Sequence, residues 1–240
     1  MDFIKISFTA RVKDGPVFDT TNGEVAKKEG FFDEKHIYRA TPVVVGQGQV
    51  VQGLDEILPK MKVGEEREVE IAPDKGFGMK DPNLLRLVPM KVFKQQKINP
   101  FPGMPVELDG RRARVQTVSG GRVRVDFNHE LAGKTVVYKV KIEKKALDVK
   151  EKTNYLIERS FNSADDFKIN ISNKGVEIEL PQEAQRDKNL LVRKASLAAE
   201  LFRILEVEDV VFKETWSNPK KKASAEKNEM PKKAKKKGKK

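Results

Sequence analysis

A chain of 240 residues, 38% apolar and 35% charged, has room for two or three small domains with modest cores. It has no cysteine, which excludes disulfides and thiol chemistry, and no apolar run long enough to cross a bilayer. The net charge of +12 is mostly local: residues 218–240 hold eleven lysines and two glutamates, nine of the twelve positive charges, so the remainder is nearly balanced.

Residues 3–12 alternate, with Phe3, Ile4, Ile6, Phe8, Ala10 and Val12 set against Lys5, Ser7, Thr9 and Arg11, which predicts a strand ending at the Asp14-Gly15 turn. The first residues belong to this alternation and lack the apolar core of a signal peptide, so a cytoplasmic location is expected. Residues 17–21 begin a return strand, and residues 22–40 read as an insertion-like loop. Val43, Val44 and Val45 suit a buried strand, which Gly46 and Gly48 break. Val50, Val51, Leu54, Ile57, Leu58 and Met61 share one helical face, and Pro59 limits that helix to two or three turns. Val69 and Ile71 alternate with Glu68 and Glu70, as in a strand wet on one side.

At Asp81-Pro82 the character changes. A Pro- and Gly-rich link at 99–105 leads to short alternating runs: Val106 and Leu108; Ala113, Val115 and Val118; Val123, Val125 and Phe127. The turns Asp109-Gly110 and Gly120-Gly121 separate them, so 87–129 reads as an all-β module inserted into a parent sheet, to which residues 135–142 return. From 148 a separate unit is predicted: a helix over 151–161, a hairpin turning at Asn173-Lys174-Gly175, a second helix over 190–205, and a closing strand within 207–216. The second helix gets its apolar face from Leu190, Leu191, Ala195, Ala198, Ala199, Phe202 and Leu205. This makes an α-β-β-α-β domain over 148–217. Residues 218–240 are predicted to be disordered. Their lysines would bind phosphate backbones weakly and without sequence preference; a solubilising tail is the simpler alternative, since no arginine or aromatic is there to stack on bases.

Three segments carry a resemblance: Val50-Val51-Gln52-Gly53-Leu54-Asp55, Met61-Lys62-Val63-Gly64-Glu65, and Ala72-Pro73-Asp74-Lys75-Gly76-Phe77-Gly78. In that order they resemble the core of FKBP-type peptidyl-prolyl isomerases, and residues 14–21 match that family's Asp-Gly…Phe-Asp-Ser/Thr signature. Val125-Asp126-Phe127-Asn128-His129-Glu130-Leu131-Ala132-Gly133-Lys134 is similar to the SlyD-like subgroup, which has a chaperone domain inserted in its flap. The extra C-terminal domain points to a long archaeal-type form.

The resemblance implies an α+β, mostly β fold: an antiparallel sheet around a short helix over 1–86 and 130–147, with the insert at 87–129. It implies a peptidyl-prolyl cis-trans isomerase with chaperone activity, acting on unfolded or proline-containing polypeptides, with no cofactor and no membrane association. By spacing alone Phe8, Phe18, Val50, Val51 and Leu54 read as core; the resemblance assigns them, with Asp19, Phe77 and Tyr138, to the substrate pocket. Asp19 is otherwise a turn aspartate and Tyr138 a core residue. Position 8 usually carries a tyrosine in the family, position 77 a tyrosine and position 138 a phenylalanine, so two hydroxyls are missing here. In the insert, Met90, Val92, Phe93, Ile98, Phe101 and Met104 are expected either to grip clients or to form the module's own core. Metal binding in SlyD-like relatives often uses a histidine-rich tail; this tail is lysine-rich, and no metal site is expected. His129 reads as a hinge-orienting residue or a plain loop histidine. The competing functions are a non-catalytic holdase and a nucleic-acid-associated factor acting through the tail. The oligomeric state stays open.

Overall fold

A computed structural model describes residues 1–216; the stretch 218–240, read above as a disordered tail with weak affinity for nucleic acid, lies outside them. The chain forms two compact units that meet between Leu147 and Asp148. Among the described residues no helix is long and apolar enough to cross a membrane.

The first unit begins with β1 (Phe3–Val12), β2 (Val17–Thr20), the short helix α1 (Gly23–Lys28), β3 (Thr41–Val44), α2 (Gln52–Asp55) and β4 (Glu66–Ile71). It then departs through β5 (Leu85–Pro89), α3 (Met90–Gln95), β6 (Pro105–Leu108), β7 (Arg111–Ser119) and β8 (Arg122–Asp126), and returns as β9 (Val136–Lys145). The parent sheet runs β2-β1-β9-β4, and β3 pairs with the first half of β1. Every pairing in it is antiparallel.

Register explains the core. Ile6, Phe8, Ala10 and Val12 stand opposite Ile142, Val140, Tyr138 and Val136, and Val69 and Ile71 on β4 stand opposite Tyr138 and Val136. These residues share one face because side chains alternate along a strand. Leu54, Leu58 and Met61 pack against that face, and burial of each such side chain is worth about 1.5–3 kcal/mol. The helix predicted over 50–61 is shorter than its apolar face suggests. It has one α-helical turn and then a 3-10 turn at Leu58–Lys60, because Pro59 has no N–H to continue the ladder. Gly53 lets α2 lie flat on β4: a Cβ there would come within 2.7 Å of Ile71 Cγ2. The outer face of the sheet carries ion pairs, Arg11–Glu68 at 3.1 Å, Lys13–Glu70 at 2.6 Å and Lys139–Glu66 at 3.0 Å. They account for part of the high charged content.

The insert is a four-stranded antiparallel sheet in the order β5-β8-β7-β6. It is not all-β: α3 follows Pro89, which takes the N-cap position, and it carries Phe93 into the centre of the module. Phe93 is 0% exposed, so its assignment to an exposed client-binding surface is corrected here: it packs with Val106, Leu108, Val115, Val123 and Val125 as core.

The second unit contains α4 (Val149–Phe161), β10 (Lys168–Ile171), β11 (Gly175–Glu179), α5 (Gln182–Gln185), α6 (Leu190–Leu205) and β12 (Asp209–Lys213). Its sheet runs β10-β11-β12; the first pairing is antiparallel, and the second is parallel because α6 crosses over between its strands. The buried face of α6 differs from the one expected. Leu197 and Leu201 are at 0% exposure, while Leu191, Ala195, Ala199 and Phe202 face solvent.

Candidate functional site

The threonines that follow Phe18-Asp19 fasten β2 to β1 at Phe8. The Phe8 N–H donates to Thr21 Oγ1 at 2.8 Å, and the Thr21 N–H donates back to the Phe8 carbonyl at 2.9 Å. The register then slips: Ala10 faces Asp19 and Arg11 faces Val17, which leaves Phe18 as the extra residue of a bulge. A bulge of this kind re-aims a side chain. Phe18 meets Tyr138 of β9 edge to face at 6.2 Å between centroids, and Phe77 of the loop after β4 at 5.8 Å. Tyr138 lies 5.8 Å from Phe8 in a tilted pair. Phe8, Tyr138, Phe18 and Phe77 therefore form one continuous aromatic wall. Such pairs contribute about 0.5–1.5 kcal/mol beyond area burial.

Phe8, Phe18, Val50, Val51 and Phe77 are half-buried and pack against the core cluster that contains Leu54 and Tyr138. Val45 and Ile57 have the same half-buried position. Leu54, 1% exposed, lies within the core rather than on its surface. Asp55, next to it, orders the preceding turn: its two carboxylate oxygens accept from the N–H of Gly46 at 2.8 Å and of Gly48 at 3.2 Å.

Asp19 stands beside this wall, exposed on its outer side. Loss of water on its inner side holds its carboxyl above the ordinary value, against the opposing pull of the Thr20 backbone N–H and the His36 imidazole. Burial pushes the Tyr138 hydroxyl up to about 12, with the Asp19 carboxylate adding to the effect. The tyrosine is therefore a neutral hydroxyl throughout the physiological range. It is a hydroxyl on β9, whereas positions 8 and 77 carry none.

The wall ends at the hinge to the insert. The outgoing and returning segments are tied by Asn128: its Oδ1 accepts from the Asp81 N–H at 2.8 Å, and its Nδ2 donates to the Asp81 carbonyl at 3.1 Å. Asp126 is buried. Burial pushes its carboxyl up, but donors from Asn128 and Lys80 outweigh this and hold it below the ordinary carboxylate value. Gly133 N–H donates to the Gly78 carbonyl at 2.8 Å, and Glu130 pairs with Arg114 of β7. Between these ties, the His129 ring lies flat on Phe77, 5.1 Å between centroids and 2° between planes. This contact extends the wall by one ring. No spacing rule links 77 to 129; its only trace in the sequence is that His129 sits in the return motif.

Across the insert, Met90, Val92, Ile98 and Met104 are half-buried against the module's core, and Phe101 is 59% exposed. Leu87 on the edge strand β5, which the sequence did not single out, is 63% exposed.

Comparison with known proteins bears on all three parts of the chain. Residues 1–92 match the FKBP-type peptidyl-prolyl cis-trans isomerase family, 86–131 the FKBP26 IF domain, and 149–217 the FKBP26 C-terminal domain. A short-type peptidyl-prolyl cis-trans isomerase of Methanocaldococcus jannaschii is 36% identical over 141 residues, 59% of this chain and 89% of that protein. The FKBP-type isomerase SlyD of Aeromonas hydrophila is 30% identical over 145 residues, 60% of this chain and 62% of the relative. SlyD of Helicobacter pylori is 30% identical over 103 residues, 41% and 55%.

Proposed function

The chain belongs to the FKBP-type peptidyl-prolyl cis-trans isomerase family and is an isomerase of that class, and from this premise we propose that it acts through the aromatic cleft lined by Phe8, Phe18, Val50, Val51, Phe77 and Tyr138. Rotation about an X-Pro bond faces a barrier of about 18–20 kcal/mol, set by amide resonance. No covalent bond breaks, so no nucleophile is required. The twisted transition state has a single-bond C–N and a less polar carbonyl than the planar amide. A water-poor wall disfavours the hydrated planar form and so lowers the barrier; each tenfold gain in rate requires about 1.4 kcal/mol. Leu54 contributes from beneath, as core support. The Asp19 carboxylate and the neutral Tyr138 hydroxyl supply the polar edge that orients the peptide.

The observation that carries this reading is the run of four rings in edge-to-face and tilted contact, 5.8–6.2 Å between centroids, drawn from three strands and one loop. Phe18 is at its centre, touching both Tyr138 and Phe77. Truncation at Phe18 therefore removes two ring contacts and admits water. Phe18→Ala is expected to lower kcat/KM for a short prolyl peptide about tenfold or more while the chain stays folded by thermal melting. A folded variant with the original rate would remove the cleft from the mechanism.

The insert is the client-binding part in this proposal, holding unfolded chains close to the cleft. Phe101 and Leu87 are its exposed large apolar residues, with Met90, Val92, Ile98 and Met104 half-buried beside them. Methionine adapts to varied apolar partners. A purely holding chaperone is the second reading, motivated by the missing hydroxyls at Phe8 and Phe77; the hydroxyl at Tyr138 favours the first.

A further inference from the structure

We propose that His129 supplies the donor that the flap loop lacks at Phe77, giving its Nε2–H to a carbonyl of the prolyl peptide in the cleft. This rests on the cleft reading above and adds a specific polar contact to it. Phe77 carries no hydroxyl, so the wall it forms offers nothing to a carbonyl. The polar group stacked on that ring is the His129 imidazole, at 5.1 Å and 2°. Its protonation pattern is set locally. His129 Nδ1 accepts the Leu131 N–H at 3.2 Å. A neutral imidazole has one bare nitrogen and one N–H; with Nδ1 accepting, the proton is on Nε2. The residue is exposed, so that N–H is presented at the surface beside Phe77.

The ring is also fixed in place. Ala132 N–H donates to the His129 carbonyl at 2.9 Å, and the Gly133–Gly78 bond ties the loop bearing His129 to the loop bearing Phe77. The neighbouring carboxylate, Glu130, pairs with Arg114 of β7. A donor held on a rigid support, ready before the substrate arrives, fixes the position and orientation of the bound peptide at little cost in ordering.

The test uses the full chain and a short prolyl peptide. His129→Phe keeps a flat ring on Phe77 but removes the N–H, and is expected to lower kcat/KM about three- to tenfold, the range of one neutral hydrogen bond. Adding Phe77→Tyr to that variant is expected to recover most of the loss, because a tyrosine hydroxyl then takes over the role. A wild-type rate in His129→Phe, or a loss that Phe77→Tyr does not repair, overturns the proposal. A second readout needs no variant: imidazole nitrogen NMR of the native chain should show the Nε2–H tautomer, with that proton moving downfield as the peptide is added. A proton on Nδ1, or no movement on saturation, also overturns it. Phe18→Ala separates the two levels. If it abolishes turnover while His129→Phe does not, the cleft reading stands and only the histidine's role falls. If neither variant lowers turnover, the cleft reading itself fails.

Discussion

Position 138 carries a tyrosine where the family usually has a phenylalanine, and position 8 carries the reverse. The two rings touch, and the hydroxyl is on the closing strand beside Asp19 rather than on the first strand. The pair was legible only as two separate departures. Their contact needs the antiparallel register of β1 and β9, which no single sequence prints. Asp19 has its own energetic consequence. Its carboxyl is held above the ordinary value, chiefly by lost hydration, so the ionised form is disfavoured in the fold. That penalty is fully present above the raised folded pKa and disappears as pH falls through it towards the unfolded value. Asp19→Asn is therefore expected to raise the melting temperature at neutral pH, with the gain shrinking as the solution is acidified, while turnover of a prolyl peptide falls. Equal melting temperatures for the two proteins at neutral pH would contradict this, and so would a gain that grows on acidification.

Elements were most legible where one period dominated. β1, β4 and β9 alternate over most of their length because one face meets the core and the other carries ion pairs, so their faces could be read directly; the exceptions are Phe3-Ile4 and Val136-Val137-Tyr138, where consecutive residues are buried. α6 could not be oriented in the same way. Leu197 and Leu201 repeat at i, i+4, and so do Leu191, Ala195 and Ala199 on another face; only tertiary packing decides that the first pair is buried. α3 was missed because six residues after a proline leave too little periodicity to separate a helix from a link. α2 shows what a short element needs in order to lie flat on a sheet. Gly53 brings it against Ile71 so closely that a methyl group has no room. Gly53→Ala is expected to cost about 1–3 kcal/mol, the usual range for overpacking, and to shift Val50 and Val51 relative to the aromatic wall. Chemical denaturation of the variant measures the first effect, and peptide kinetics the second. Unchanged stability would mean that α2 moves away from Ile71 at no cost.

At the scale of the whole molecule, the chain carries two apolar surfaces of different character in its first unit: an ordered aromatic wall and a looser, partly exposed set of residues on the insert. The motif order of the parent domain made the first legible. The second was only half legible, since composition cannot tell which of Phe93 and Phe101 is core and which is exposed. If the insert holds clients and the cleft rotates prolyl bonds, the two tasks separate by substrate. Phe101→Ser is expected to slow proline-limited refolding of an unfolded protein several-fold and leave a short prolyl peptide unaffected. Equal losses on both substrates would tie Phe101 to the cleft, and no loss on either would remove it from client binding. Beneath both lies the claim that a dry wall, rather than shape alone, lowers the rotational barrier. Val51→Thr tests it most directly, because it keeps the side-chain outline while adding a hydroxyl that retains water. Leaving a polar group partly solvated in an apolar site costs about 1–3 kcal/mol. The measurement is kcat/KM for a short prolyl peptide on the folded variant: desolvation predicts a fall of about fivefold or more, and a rate equal to that of the native chain would contradict it.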